Sequence, residues 1–195
     1  GKLACAGKRG LPMIENTPTF FERDQHPYDR MREEYTRTEI ALAELFTTPP
    51  DDPTALCQAV CTLLRQRVSH YTWVGIYLVK GSDLILAAWD GPQATEHVRI
   101  PIGTGICGAA AAEGETIVVP DVNADPRYLQ CFLDTRSEIV VPIWYEGQVI
   151  GEIDIDSSLV DAFNSEDQAL LEWAARHLGR LLGPAWAAGA IPASA

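Results

Sequence analysis

The stretch EIVVPIWYEGQVIGEIDIDSS, residues 138–158, reads as two strands folded back on each other. EIVVPIW and QVIGEIDID are rich in β-branched and aromatic residues, and the hairpin turns around Glu146 and Gly147. Alternation in the second strand turns Ile153 and Ile155 one way and Glu152, Asp154 and Asp156 the other. Which face takes Glu138 depends on the turn. A two-residue loop at Glu146 and Gly147 sets Glu138 opposite Ile155, on the wrong face; a three-residue loop sets it opposite Asp156. Glu-Gly is a weak type I′ signal, so both registers stay open.

Working outward, TWVGIYLV (72–79), DLILAAW (83–89) and ETIVVP (115–120) are further strands between Gly, Asp and Pro turns. Before them, Met31, Tyr35, Leu42, Leu45 and Phe46 recur at helical spacing, as do Leu56, Val60, Leu63, Leu64 and Val68. A last helix starts at Ser165, where SEDQ reads as a capping box, and runs through Leu170, Leu171, Ala174, Leu178 and Leu181. Helices at both ends of a mainly antiparallel sheet predict an α+β domain over residues 28–183. Residues 1–27 and 184–195 lack apolar periodicity and read as flexible tails.

With 195 residues and 47% apolar content, the chain suits one domain. A net charge of -12 leaves few cations for phosphates, which argues against nucleic acid and anionic membrane surfaces as partners. No run of about 18 apolar residues is present. Cysteines at 5, 57, 61, 107 and 131 form no CxxC pair and no regular framework, which predicts free thiols in the cytoplasm. Cys57 and Cys61 lie four apart beside a helical apolar stripe and read as packing.

The chemistry concentrates in four places. Successive carboxylates of Glu152, Asp154 and Asp156 stand about 6.5–7 Å apart. Facing water they repel modestly; facing a pocket they favour a cationic ligand and push at least one pKa up until that group holds a proton at neutral pH. Mg²⁺ or Ca²⁺ is a further reading, without the loop spacing of an EF-hand. In WVGIY, Val74, Ile76 and Leu78 take the core face, while Trp73 and Tyr77 flank Gly75 on the other, shaped to line a small pocket or to pack under a helix. In GTGICG, Gly103, Gly105 and Gly108 satisfy G-x-G-x-x-G, but AAAAEG after it is too short for a crossover helix, so the glycines read as a sharp turn into a short helix. Cys107 beside that helix start gains thiolate character from the dipole. Cys131 lies in a polar loop, where an inert thiol is the weightier reading of the residue alone. Acids in contact with it would raise its pKa, so a reactive arrangement keeps them on the far side of a substrate.

Together, WVGIYLV, VRIPIGTGICG, LQCFLDTRSEIVVPI and VIGEIDIDS resemble the free methionine-(R)-sulfoxide reductases, single GAF domains, over about residues 30–183. The resemblance implies an oxidoreductase, with no cofactor and no metal, in which a thiolate attacks the sulfoxide sulfur of free methionine sulfoxide. Methionine leaves, and the sulfenic acid passes to a disulfide reduced by thioredoxin or another thiol. It implies Cys131 as the catalytic cysteine, Cys107 as the glycine-loop cysteine, Glu138, Asp154 and Asp156 as pocket acids, and Trp73 and Tyr77 as aromatics around the substrate. Members often form homodimers. The family usually has a resolving cysteine just before VRIP, where this chain has His97. Recycling then falls to Cys107 or to an external thiol, and the alternative is a non-catalytic GAF module that binds a small amino-acid-like ligand as a sensor.

Overall fold

The computed structural model describes residues 27–190, so Cys5 and most of the expected N-terminal tail lie outside it. Helices α1 (Pro27–Thr47) and α2 (Pro53–Arg67) precede strands β1 (Trp73–Lys80), β2 (Asp83–Asp90) and β3 (Arg99–Pro101). Helix α3 (Gly105–Glu113) and strand β4 (Ile117–Val119) lead through a short 3-10 turn to β5 (Ser137–Tyr145), β6 (Gln148–Ser157) and α4 (Ser165–Ala187). The strands form one antiparallel sheet in the order β3-β2-β1-β6-β5-β4, the α+β architecture expected. β3 is an addition: its three residues give periodicity nothing to act on, and pairing with β2 makes it a strand.

The sheet is buried on both faces. Val74, Ile76, Leu78, Ile153 and Ile155 face α1, α2 and α4, with Cys57 and Cys61 in the same core. On the other face Trp73, Tyr77 and Val140 pack with Ile106, Cys107 and Ala110 of α3. The acids of β6 therefore lie between two layers, out of water.

Two boundaries differ from expectation. The cap of α4 is Asn164, one residue earlier: its side chain accepts from the N–H groups of Glu166 and Asp167, and the Asp167 carboxylate accepts from Asn164 N at 2.9 Å. The box is thus Asn164 with Asp167 rather than Ser165 with Gln168. Past residue 183 the chain continues as helix to Ala187 despite Pro184, correcting a tail that began at 184. Gly183 lies against the Tyr145 ring, and the Trp186 indole N–H donates to Val79 O at 2.8 Å, so tertiary contacts hold a turn that local preference would end.

The hairpin resolves the register in an unforeseen way. Glu146 and Gly147 form a two-residue turn with φ of 46° and 78°, and Tyr145 pairs with Gln148. Beyond Trp144–Val149 the pairing slips to Ile143–Gly151, leaving Ile150 as an extra residue. A tight turn plus a bulge gives the outcome of the longer loop, and Glu138 sits opposite Asp156.

Candidate functional site

The central strands build the site. β6 pairs Asp156 with Trp73, Asp154 with Gly75 and Glu152 with Tyr77 on one side, and Asp156 with Glu138 on the other. Alternation then places all four carboxyls on the face that α3 covers, and each is buried. Trp73 fills the slot between two glycines, since a Cβ on Gly75 or Gly91 would stand 2.3 Å from its indole. This is why WVGIY has glycine between its aromatics.

The glycine loop acts as read. Gly103 and Gly105 have φ of 92° and 70°, and a Cβ on Gly108 would meet Pro101 O at 2.6 Å. The turn brings Cys107 onto the acids, its thiol donating to Glu138 Oε1 at 3.9 Å.

Beneath the loop that carries Cys131, a cavity of about 20 Å³ is lined by His97, Ile100, Thr104, Gly105, Ile106, Cys107, Leu129, Cys131, Glu138 and Asp154. The sequence-predicted Cys131, Cys107, Glu138 and Asp154 meet there. Asp156, Trp73 and Tyr77 share the face but do not line the cavity. Trp73 stacks near-parallel on Trp89, with ring centroids 6.3 Å apart. The Tyr77 hydroxyl donates to His97 O at 2.8 Å, and His97 Nε2 lies 3.3 Å from Gln130 O, so His97 ties β1 to the Cys131 loop.

Glu152, which alternation put on this face, is fully buried with neither carboxylate oxygen partnered among the described residues. Two further residues escaped sequence reasoning. Buried Thr95, whose hydroxyl accepts from His97 N, and Leu129, which covers Gly105, lie in irregular segments that carry no periodic signal.

Burial dominates the electrostatics. It pushes the carboxyls of Glu138, Glu152 and Asp156 well above the usual range, and the Asp154 charge adds to each. Burial likewise raises Asp154, but contacts with Cys107, Glu138 and His97 pull back, leaving it at about 6. The Cys107 thiol is held well up by burial and by Asp154, Glu152 and Glu138, so the helix dipole does not make it a thiolate. Cys131 is raised in the same way, by burial and then by Asp154, Asp156 and Glu138, against a Thr95 hydrogen bond that lowers it. Glu138 and Asp154 line the cavity together with Cys131.

The cavity has an unsatisfied demand. Asp154 is 3% exposed, and its Oδ1 has no hydrogen-bond partner among the described residues. Trp73 Nε1 is likewise buried and unpartnered. Such atoms are costly unless a ligand meets them, and an N–H donor or a cation suits the carboxylate. Cys107 Sγ and one carboxylate oxygen each from Glu138 and Asp154 lie within 4.8 Å of one another. Among the described residues no helix is long and apolar enough to cross a membrane.

Known proteins share this framework. The GAF domain model matches residues 52–182. The free methionine-R-sulfoxide reductase of Escherichia coli is 35% identical over 120 residues, which cover 62% of this chain and 72% of that protein. The structure of the free methionine-R-sulfoxide reductase from Neisseria meningitidis in complex with its substrate superposes with a TM-score of 0.69 at 35% identity, covering 81% of this chain and 91% of the other. A type II free methionine-R-sulfoxide reductase from Thermoplasma acidophilum gives a TM-score of 0.65 at 39% identity, over 68% of this chain and 96% of the other.

Proposed function

The chain belongs to the GAF domain family, on the branch of the free methionine-R-sulfoxide reductases, and from that membership we propose that it reduces free L-methionine-(R)-sulfoxide to methionine. One observation carries the reading: the unpartnered, buried Asp154 Oδ1 lines the same cavity as the thiols of Cys131 and Cys107. A free amino acid brings an ammonium to that oxygen, and a peptide-linked methionine sulfoxide does not. Rejection of the peptide form follows, because it would leave buried carboxylates unpaired.

Cys131 is the nucleophile. Burial, and then the Asp154 charge beneath its loop, hold its proton on, and a bound ammonium offsets that charge, so substrate and thiolate arrive together. The thiolate attacks the sulfoxide sulfur while a neutral carboxyl of Glu138 or Asp156 gives its proton to the oxygen. The S–O bond breaks as the oxygen passes, as hydroxyl, to the Cys131 sulfur, and the S–S bond just formed breaks with its electron pair on the methionine sulfur, so methionine leaves and Cys131 is left as a sulfenic acid. Attack by the Cys107 sulfur on Cys131 then forms a disulfide and releases the oxygen as water. Thioredoxin, a dithiol, reduces the disulfide. Trp73 and Tyr77 back the pocket on the β1 side, and the Tyr77 hydroxyl holds the His97 backbone that borders it. A cavity of about 20 Å³ has room for about one water, so entry requires the Leu129–Cys131 segment to move outward.

The test is full-length protein with racemic free methionine sulfoxide, thioredoxin, thioredoxin reductase and NADPH. One epimer, half of the racemate, should disappear, and Cys131→Ser should abolish the loss. Cys107→Ser should keep a single turnover but lose thioredoxin-dependent cycling. Absence of turnover even with dithiothreitol, beside measurable ligand binding, would overturn the reading in favour of a sensor.

A further inference from the structure

We propose that Cys107, Glu138 and Asp154 form a site for a divalent cation of the Zn²⁺ class, which fits the small cavity without the outward loop movement that a whole amino acid requires. Three observations support it. First, a sulfur and two carboxylate oxygens, all from buried residues, lie within 4.8 Å of one another. Cys107 Sγ and Glu138 Oε1 are 3.9 Å apart, against about 3.5 Å across a tetrahedral site with Zn–S of about 2.3 Å and Zn–O of about 2.0 Å, so small side-chain rotations close the gap.

Second, Asp154 lines the cavity, is 3% exposed, and its Oδ1 has no partner among the described residues. An oxygen in that state points to a ligand, and a cation in this cavity is within its reach. Third, the cavity of about 20 Å³ matches a small ion or one water, and a water can complete the coordination of such an ion. Donor type selects the metal. One thiolate with two carboxylates favours Zn²⁺, Co²⁺ or Cd²⁺ over Mg²⁺ and Ca²⁺, which take oxygen alone. Each ligand gives its proton to solvent as it coordinates.

A cation there joins α3 to β5 and β6, occupies Cys107 and takes the place of any ammonium at Asp154. It would therefore act as an inhibitor and as a shield of Cys107 against oxidation.

Co²⁺ is the probe. The reduced full-length protein is titrated with Co²⁺ alone, and the near-ultraviolet sulfur-to-cobalt charge-transfer band is read. One equivalent should bind with that band, and Zn²⁺ should displace it. Cys107→Ser should remove the band, Cys131→Ser should retain it, and Asp154→Asn should weaken Co²⁺ binding at least tenfold. No band in the unaltered protein, or a band that survives Cys107→Ser, overturns the proposal. Should Cys107→Ser fail to fold by circular dichroism, Asp154→Asn decides, and unchanged affinity there overturns it as well. None of these readouts requires turnover, so failure of the reductase reading remains a separate result.

Discussion

Glu152 is the residue whose surroundings fit it least. It is fully buried, both its oxygens lack partners among the described residues, and Asp154 stands two residues away on the same face. Burial therefore keeps it neutral, and even a neutral carboxyl without hydrogen bonds costs about 1–3 kcal/mol. Glu152→Met, close in volume and apolar, should raise stability by about 1–2 kcal/mol, seen as a higher denaturation midpoint. A lower midpoint would show that Glu152 is satisfied in solution. Gly75 is the opposite case, a residue with no side chain because its neighbour needs the room. Gly75→Ala would place a Cβ 2.3 Å from the Trp73 ring and should cost about 1–3 kcal/mol with a changed tryptophan emission. An unchanged spectrum and midpoint would count against that packing.

Two elements carry the site's geometry, the β5–β6 hairpin and the start of α4. In the hairpin, Glu146 takes a φ of 46°, a left-handed conformation that asparagine tolerates better than glutamate. Glu146→Asn should stabilise the turn by about 0.5–1 kcal/mol, readable as a rise in Tm, without altering the pairing of Glu138 with Asp156. At α4, Asp167 Oδ1 accepts from the hydroxyls of Tyr35 and Tyr71, each at 2.8 Å, and lies 2.9 Å from His70 Nε2. One carboxylate thus ties α1, α4 and the entry to β1. Burial pushes it up, but hydrogen bonds from His70, the Asn164 backbone and Tyr71 outweigh burial and hold it below the usual range. Asp167→Ala should cost about 3–5 kcal/mol, since it strands the two buried tyrosine hydroxyls and the half-buried His70 imidazole at once.

On the scale of the molecule the two faces of the sheet respond to pH in opposite directions. Asp167 on the helical face has a lowered pKa, so its stabilisation is present above about 3.8, the ordinary value, and is lost as pH falls through its folded value. The pocket acids have raised pKa values, so theirs is full below the ordinary carboxyl range and is lost as pH rises, through about 6 for Asp154 and higher for Glu138, Glu152 and Asp156. In chelator-containing buffer, Tm should therefore fall from pH 5 to pH 8, and Glu152→Met should flatten that fall. A Tm that rises over this interval would mean that the acids are solvated. Much of this was legible in the chain itself: period-2 alternation placed the β6 acids on one face and the isoleucines on the other, because a strand's side-chain directions are a local property. Helix periodicity likewise found α2 and the body of α4. Register was not local. Ile150 lies in the core beside Ile153 and Ile155, against simple alternation, because the strand bulges there. Gly179 and Gly183 of α4 receive the Trp144 carbonyl and the Tyr145 ring at the end of that hairpin. The sequence by itself determined that the β6 acids share one face of their strand. Whether Glu138 joined them was decided only in the tertiary structure, because one extra residue in a strand reverses every side chain beyond it and its place depends on packing against a helix far along the chain.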